Sequence, residues 1–264
     1  MFLKLHGAPL RFFLFAFAFI NFFTSAFAAP PQKEFYQIRV YHLKSNEQVQ
    51  MVDQYHKNAL VPALHRMGIK KLGVFQPLSN DTASQKSIYV LIPLSSMKEF
   101  TEMEEKLAKD VSYNENAQAF ISAPSDHPAF ERLESILLEA FDAQKHFVAP
   151  PKSAENIFEL RSYESPTLHL HEKKVNMFNK GEVDMFKRLD FRSVFYARVI
   201  SGSRMPNLMY MPCFTSVDER NAHWKTFGAD PQWKQMSTDP ENENKVSVNH
   251  IDSILMKATD YSDF

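Results

Sequence analysis

Two short segments carry the residues best suited to chemistry. They are Tyr36-Gln37-Ile38-Arg39-Val40-Tyr41 and Phe158-Glu159-Leu160-Arg161-Ser162-Tyr163. Both read as β-strands, where alternate side chains share a face. Gln37, Arg39 and Tyr41 therefore form one polar set, and Glu159, Arg161 and Tyr163 form another. An arginine beside a tyrosine suits recognition of a carboxylate, enolate or phenolate, through a guanidinium fork and a hydroxyl donor. These six residues are the candidate ligand-binding set. The competing reading is structural: Arg39 and Arg161 would tie two sheets together through Glu159 and main-chain carbonyls, since a buried arginine needs a partner. No catalytic residue is assigned.

Other chemistries find less support. Ten histidines are present, but there is no HExxH, no CxxC and no carboxylate–histidine spacing of a facial triad. His169 and His171 fall at a helix entry, where residues two apart diverge by about 200°. His56 and His65 lie nine apart on one expected helix. No metal site is therefore assigned, and the cofactor stays unknown. Six glycines and no GxSxG leave no nucleophile elbow and no phosphate loop. The single cysteine, Cys213, sits in the apolar run Leu208–Phe214 and reads as a buried small hydrophobe. Tyr113, Trp224, Phe227 and Trp233 read as a packed aromatic cluster at the barrel edge, with an aromatic wall for a planar ligand as the sharper alternative.

The elements that would position these residues are written twice. Phe35–Tyr41 returns as Ile157–Tyr163, Leu94–Glu99 as Phe214–Glu219, and Leu133–Leu138 as Ile251–Met256. The offsets drift only from 122 to 118, which marks an internal repeat. Each half reads β-α-β-β-α-β, the ferredoxin-like order. The first half has strands at 35–42, 69–76, 87–94 and 132–141, with helices over 47–67, 95–107 and 113–123. The second has strands at 156–163, 191–201, 207–214 and 246–257, with helices over 168–189, 215–227 and 231–237. A ferredoxin-like unit covers one sheet face with helices. Leaving a few hundred Å² of the other face open would forfeit roughly 10 kcal/mol at about 25 cal/mol per Å². The expected fold is α+β: two tandem ferredoxin-like repeats packed sheet to sheet as a pseudo-dimeric α+β barrel. The apolar strand faces would lie beneath the helices, and the six polar candidates would point into a shared inter-sheet cavity. Two independent beads are the alternative.

Residues 1–28 read as a signal peptide. Lys4 and Arg11 precede the apolar run Phe12–Phe23, and Ala26-Phe27-Ala28 has the small-x-small cleavage pattern. A first repeat over 29–145, a linker at 146–155 carrying Pro150 and Pro151, and a second repeat over 156–264 complete the division. The expected location is the periplasm or outside the cell. Of 30 basic and 31 acidic residues, two basic ones fall in the leader, so the mature chain carries a net charge of −3. That balance, without a dense basic stripe, speaks against nucleic acid. With no second long apolar segment, no membrane association is expected after cleavage.

Several second-half segments, Met177–Glu182, Met205–Met211, Asp218-Glu219-Arg220, His223-Trp224 and Asp230-Pro231-Gln232-Trp233, join the two strand openings in a pattern that resembles the NIPSNAP family, in particular its exported two-repeat bacterial members. In the first half the D-P-x-W element appears as Asp110-Val111-Ser112-Tyr113. The resemblance implies the dimeric α+β barrel superfamily, which includes small oxygenases, haem peroxidase-like enzymes, isomerases and proteins without a known reaction. A haem is compatible with that superfamily and would look to His56, His65 or His171, but nothing in the residues indicates it. Two functions stay open: binding or transformation of a small organic ligand in the inter-sheet cavity, and a non-catalytic protein-interaction or structural module of the cell envelope. A homodimer is compatible with either, although the internal repeat already supplies the sheet pairing.

Overall fold

A computed structural model describes residues 32–240 and 242–264. The leader read at 1–28 lies outside the described residues. Among them, no helix is long and apolar enough to cross a membrane.

The first half runs β1 (Phe35–Leu43), α1 (Asn46–Tyr55), α2 (Val61–Arg66), β2 (Gly73–Pro77), β3 (Lys86–Leu94), α3 (Met97–Lys109), α4 (Val111–Ile121) and β4 (Arg132–Ala140). The second runs β5 (Ile157–Glu164), α5 (Leu168–Met177), α6 (Val183–Arg188), β6 (Arg192–Ser201), β7 (Asn207–Phe214), α7 (Val217–Ala229), α8 (Pro231–Met236), α9 (Asn244–Ser247) and β8 (His250–Ala258). Helix starts follow the side chains. Ser96 accepts from Glu99 N while Glu99 returns to Ser95 N, and Ser216 with Glu219 and Thr215 repeats the arrangement. Asp110 and Asp230 cap α4 and α8 in the same way, so this acidic residue of the D-P-x-W element has a plain structural job. Gly68, at φ +94°, ends the first helical run in a conformation that suits glycine.

Two helical runs expected to be regular are each interrupted, by a π-helical turn at His56–Leu60 and by a wide turn at Phe178–Glu182 that kinks at the non-helical Gly181. They occupy the same place in the two halves. A π turn is rare and often marks a functional site.

All strands are antiparallel. Within each half the order is that of a ferredoxin-like sheet, β4-β1-β3-β2 and β8-β5-β7-β6. Two edge pairings join the sheets: Phe75–Pro77 of β2 with Met256–Ala258 of β8, and Leu137–Ala140 of β4 with Ala197–Ser201 of β6. The result is a closed eight-strand barrel without free edges. The helices of each half cover its outer surface.

Closure sorts the side chains, and it reverses one expectation. The barrel interior takes the fully apolar set: Tyr36, Ile38 and Val40 of β1 with Phe158 and Leu160 of β5, packed against Phe195, Met209, Met211 and Met256. The polar candidates Gln37, Arg39, Tyr41, Glu159, Arg161 and Tyr163 lie on the outer face, beneath the helices. They do not point into the inter-sheet space. The reason is partner supply. A closed barrel lumen brings strand faces only against other strand faces, whereas α3 and α7 bring charged and hydrogen-bonding groups onto the outer face.

Candidate functional site

The barrel lumen is asymmetric along its axis. One end is plugged by aromatic rings: Phe75, Phe158 and Phe264 stand 4.9–5.7 Å apart, with Phe147 5.2 Å from Phe264. Cys213 is enclosed in this lumen, and burial pushes its thiol up to about 12. It is a small hydrophobe in a dry core.

The other end is open. It forms a cavity of about 370 Å³ between the two halves. Its floor is apolar, made by Val40, Ile136, Leu160, Val199, Met209 and Ile254. Its rim is charged, and each half supplies a cluster. In the first, Glu134 Oε1 receives Arg132 Nη2 at 2.7 Å and lies 3.1 Å from His42 Nε2. In the second, Arg204 donates to both Glu164 and Asp252, and His250 Nε2 lies 3.0 Å from Asp252 Oδ1. Burial works against the Arg204 charge, but the two carboxylates outweigh it and hold its pKa above the ordinary value. Between floor and rim, Asn207 Nδ2 donates to Ser162 Oγ at 2.9 Å. Gly202 sits where an added Cβ would come within 3.3 Å of Val199, which keeps the wall of the mouth thin.

Sequence reasoning missed this rim. The signal was available in strand alternation: His42 follows Val40, Glu134 precedes Ile136, and Asp252 precedes Ile254, each two residues from a floor residue. Reading the apolar faces as helix-facing turned the whole set outward.

The six expected residues form two separate knots, one beneath the helices of each half. Arg39 is buried, donating from Nη2 to Glu104 Oε1 at 2.6 Å and from Nε to Gln37 at 3.1 Å, and Gln37 reaches Ser135 at 2.7 Å. Burial lowers the Arg39 pKa, but the nearby Tyr41 and Glu104 more than offset it. Across the barrel, Glu159 is enclosed by four donor groups. Arg161 donates at 2.5 Å, Arg220 through two bonds of 2.6 and 2.9 Å, Trp224 Nε1 at 2.7 Å and Ser253 Oγ at 2.6 Å. Burial alone would raise the Glu159 carboxyl, yet Arg220, Arg161, Ser253 and Trp224 together hold it down at about 2. Arg161 also stacks 4.6 Å from the Trp224 ring and donates to Tyr163, whose hydroxyl lies 3.0 Å from that of Tyr210. Glu159 binds helix to sheet, and its acceptor capacity is consumed within the protein. The aromatic residues divide as well: Trp224, Phe227 and Trp233 pack under the helices of the second half, and Tyr113 under those of the first.

The histidines do not converge. His65 pairs with Asp263 at 2.9 Å, and His56 is fully enclosed against Tyr41, where burial drops its pKa to about 3. Among the described residues no group of three or more His, Cys, Asp or Glu is placed to hold a metal ion.

This geometry meets an independent finding: residues 158–263, from β5 through β8, match the NIPSNAP family profile. The second half of the chain is a NIPSNAP domain. That NIPSNAP domain contributes Leu160, Met209 and Ile254 to the cavity floor and Arg204 and Asp252 to its rim. The fold is the dimeric α+β barrel, here closed within one chain. By structure the chain is similar to a candidate monooxygenase of Fusobacterium nucleatum, at 7% identity and a TM-score of 0.56, covering 86% of this chain and 93% of that one. A candidate monooxygenase of Lactobacillus acidophilus is 12% identical, with a TM-score of 0.53 and coverage of 86% and 94%. An anthrone oxidase-like protein is 8% identical, with a TM-score of 0.51 and coverage of 86% and 92%. At these identities the likeness is one of fold. Comparison with curated proteins finds no match.

Proposed function

We propose that the open mouth of the barrel binds a small organic molecule with an apolar body and a polar or charged end. The observation that carries this reading is the cavity itself: about 370 Å³ with an apolar floor and a charged rim. Small-molecule sites are concave, mostly apolar and furnished with a few polar groups that fix orientation, at volumes of about 300–1,000 Å³. An apolar body would displace water from Leu160, Val199 and Met209. A carboxylate, phenolate or hydroxyl would meet Arg132 and the Ser162–Asn207 pair. Two of the fold neighbours carry monooxygenase names, which suits an apolar small-molecule substrate for this architecture, though fold alone names no reaction. With the leader read at 1–28, the ligand would be met in the periplasm or outside the cell.

Thermal unfolding against a panel of aromatic and aliphatic carboxylates and phenols tests the reading. Binding at about 100 times Kd stabilises by about 2.7 kcal/mol, which is several degrees for a chain of this size. At least one compound should raise the Tm of the wild type by that much and leave Leu160→Trp, whose indole fills the floor, unmoved. A panel without effect, or a shift that survives in the variant, would return the chain to the non-catalytic interaction module.

A further inference from the structure

The segment that joins β4 to β5 passes beside the plugged end of the barrel, where Phe147 meets Phe264. It is stitched to β6. Val148 N donates to Val194 O at 3.0 Å, and Gln144 Nε2 donates to the carbonyls of Ser193 and Val194 at 3.3 and 3.2 Å. Further along, Asn156 Nδ2 donates to Pro151 O at 2.9 Å. A groove of about 310 Å³ lies between this segment and the start of β6. Val148, Pro150 and Pro151 line it from the linker, and Phe191 and Tyr196 from the second half. The prolines have fixed φ angles and no N–H to satisfy, so the linker wall is stiff and apolar. No lining residue is shared with the cavity at the mouth.

The charged lining of this groove has one sign. Lys187 and Arg192 line it, and no aspartate or glutamate among the described residues does. The Arg192 side chain is only 32% exposed, and its Nη2 is buried without a hydrogen-bond partner among the described residues. Its ion-pair partner, Glu219 Oε2, stands 3.6 Å away, outside hydrogen-bond reach. That oxygen already accepts from the N–H and hydroxyl of Thr215. Buried donors are normally paired, so the free Arg192 donor calls for an acceptor. Lys187 Nζ donates to Ala143 O at 3.2 Å, with the exposed Asp184 3.6 Å away, and keeps further donors. The Ser193 hydroxyl accepts from Tyr196 at 2.6 Å and keeps its own proton to donate.

The first half supplies the contrast. Ile69-Lys70-Lys71 stand 122 residues before Phe191-Arg192-Ser193, and they too line a pocket against the linker, at Phe147. There Glu34 and Glu99 share the lining and balance the two lysines. In the second half the counterpart of Glu34 is the neutral Asn156, and that of Glu99 is Glu219, which does not line the groove.

We propose that this groove is a second binding site, for a phosphate monoester with a small apolar body. The phosphate meets Lys187, Arg192 and Ser193, and the body lies along the prolines and Phe191. A phosphate monoester carries nearly two negative charges at neutral pH, which two cations without a lining carboxylate match. The arginine fork suits phosphate oxygens, and lysine adds a point charge. At the mouth, Glu134 and Asp252 stand in the rim and disfavour a dianion. The two sites therefore sort ligands by charge.

Calorimetric titration of residues 29–264 with 1-naphthyl phosphate tests this. The ester should bind saturably, and inorganic phosphate at least about tenfold more weakly, because it leaves the apolar walls empty. Arg192→Gln and Lys187→Gln should each weaken the ester by about tenfold or more, with Arg192→Lys in between. Both side chains are partly exposed, so the unfolding midpoints of these variants should match the wild type. Leu160→Trp, which fills the mouth, should bind the ester with wild-type affinity. Absence of saturable binding would overturn the proposal. So would inorganic phosphate binding as tightly as the ester, an affinity that Arg192→Gln leaves unchanged, or one that Leu160→Trp abolishes. Failure here leaves the thermal test of the mouth with carboxylates and phenols standing.

Discussion

Replacing Glu159 with alanine should destabilise the protein by about 3–5 kcal/mol, among the largest effects available to one substitution here. The carboxylate is enclosed, and Arg161, Arg220, Trp224 and Ser253 all donate to it. Truncation strands two guanidinium groups, which are only 14% and 23% exposed, against each other. The corresponding first-half position is Gln37, whose neighbour Arg39 draws its charge partner from α3 instead. A Gln37→Ala change should therefore cost far less, on the order of 1 kcal/mol. Urea unfolding of the two variants side by side measures the difference. The same carboxylate sets an acid limit. Its folded pKa lies at about 2, below its ordinary value of 4.5. A depressed carboxyl pKa adds stability that is fully present above the unfolded value and is lost as pH falls through the folded one. The contribution at neutral pH is about 3 kcal/mol. It should disappear between about pH 5 and about pH 2 in the wild type, while Glu159→Gln should lack that part of the acid transition.

Phe75→Ala should cost about 3–5 kcal/mol for a different reason. The Phe75 ring is fully buried and forms the plug at the closed end of the lumen with Phe158 and Phe264. It also lies at the β2–β8 seam that helps close the barrel. Removing it opens a void at the end opposite the cavity. Unfolding should lose the full amount, and ligand affinity at the mouth should fall by less than about tenfold, because no floor or rim residue moves in chemistry or charge. A Phe75→Leu variant keeps most of the volume and should recover more than half of the stability. A wild-type unfolding midpoint in Phe75→Ala would mean that the plug is not packed as described.

The architecture was legible because the repeat left its mark on several elements in the same order, and because the strand, helix and capping signals agreed within each half. Ser96 with Glu99 and Ser216 with Glu219 show this agreement at single residues. The direction of the strand faces was not legible, because alternation separates two faces without saying which one meets the helices. Charge alone places Arg39 and Arg161 in a cavity. Their actual partners, Glu104 and Glu159, sit where a helix crosses the outer face or on the strand itself. Period-2 reasoning on one strand cannot see a helix residue 65 positions away. The rim of the mouth was hidden by the same inversion.

Methionine-methyl NMR on residues 29–264 would test the central claim, occupancy of the barrel mouth, most directly. Met209 lines the cavity, Met103 and Met185 lie in the two outer layers, and Met97 and Met205 are exposed. On titration with a compound that raises the Tm, the Met209 methyl should shift in a saturable manner while Met103 and Met185 stay fixed. Shifts confined to Met97 or Met205, or a Met209 signal unmoved at saturation, would contradict binding in the mouth.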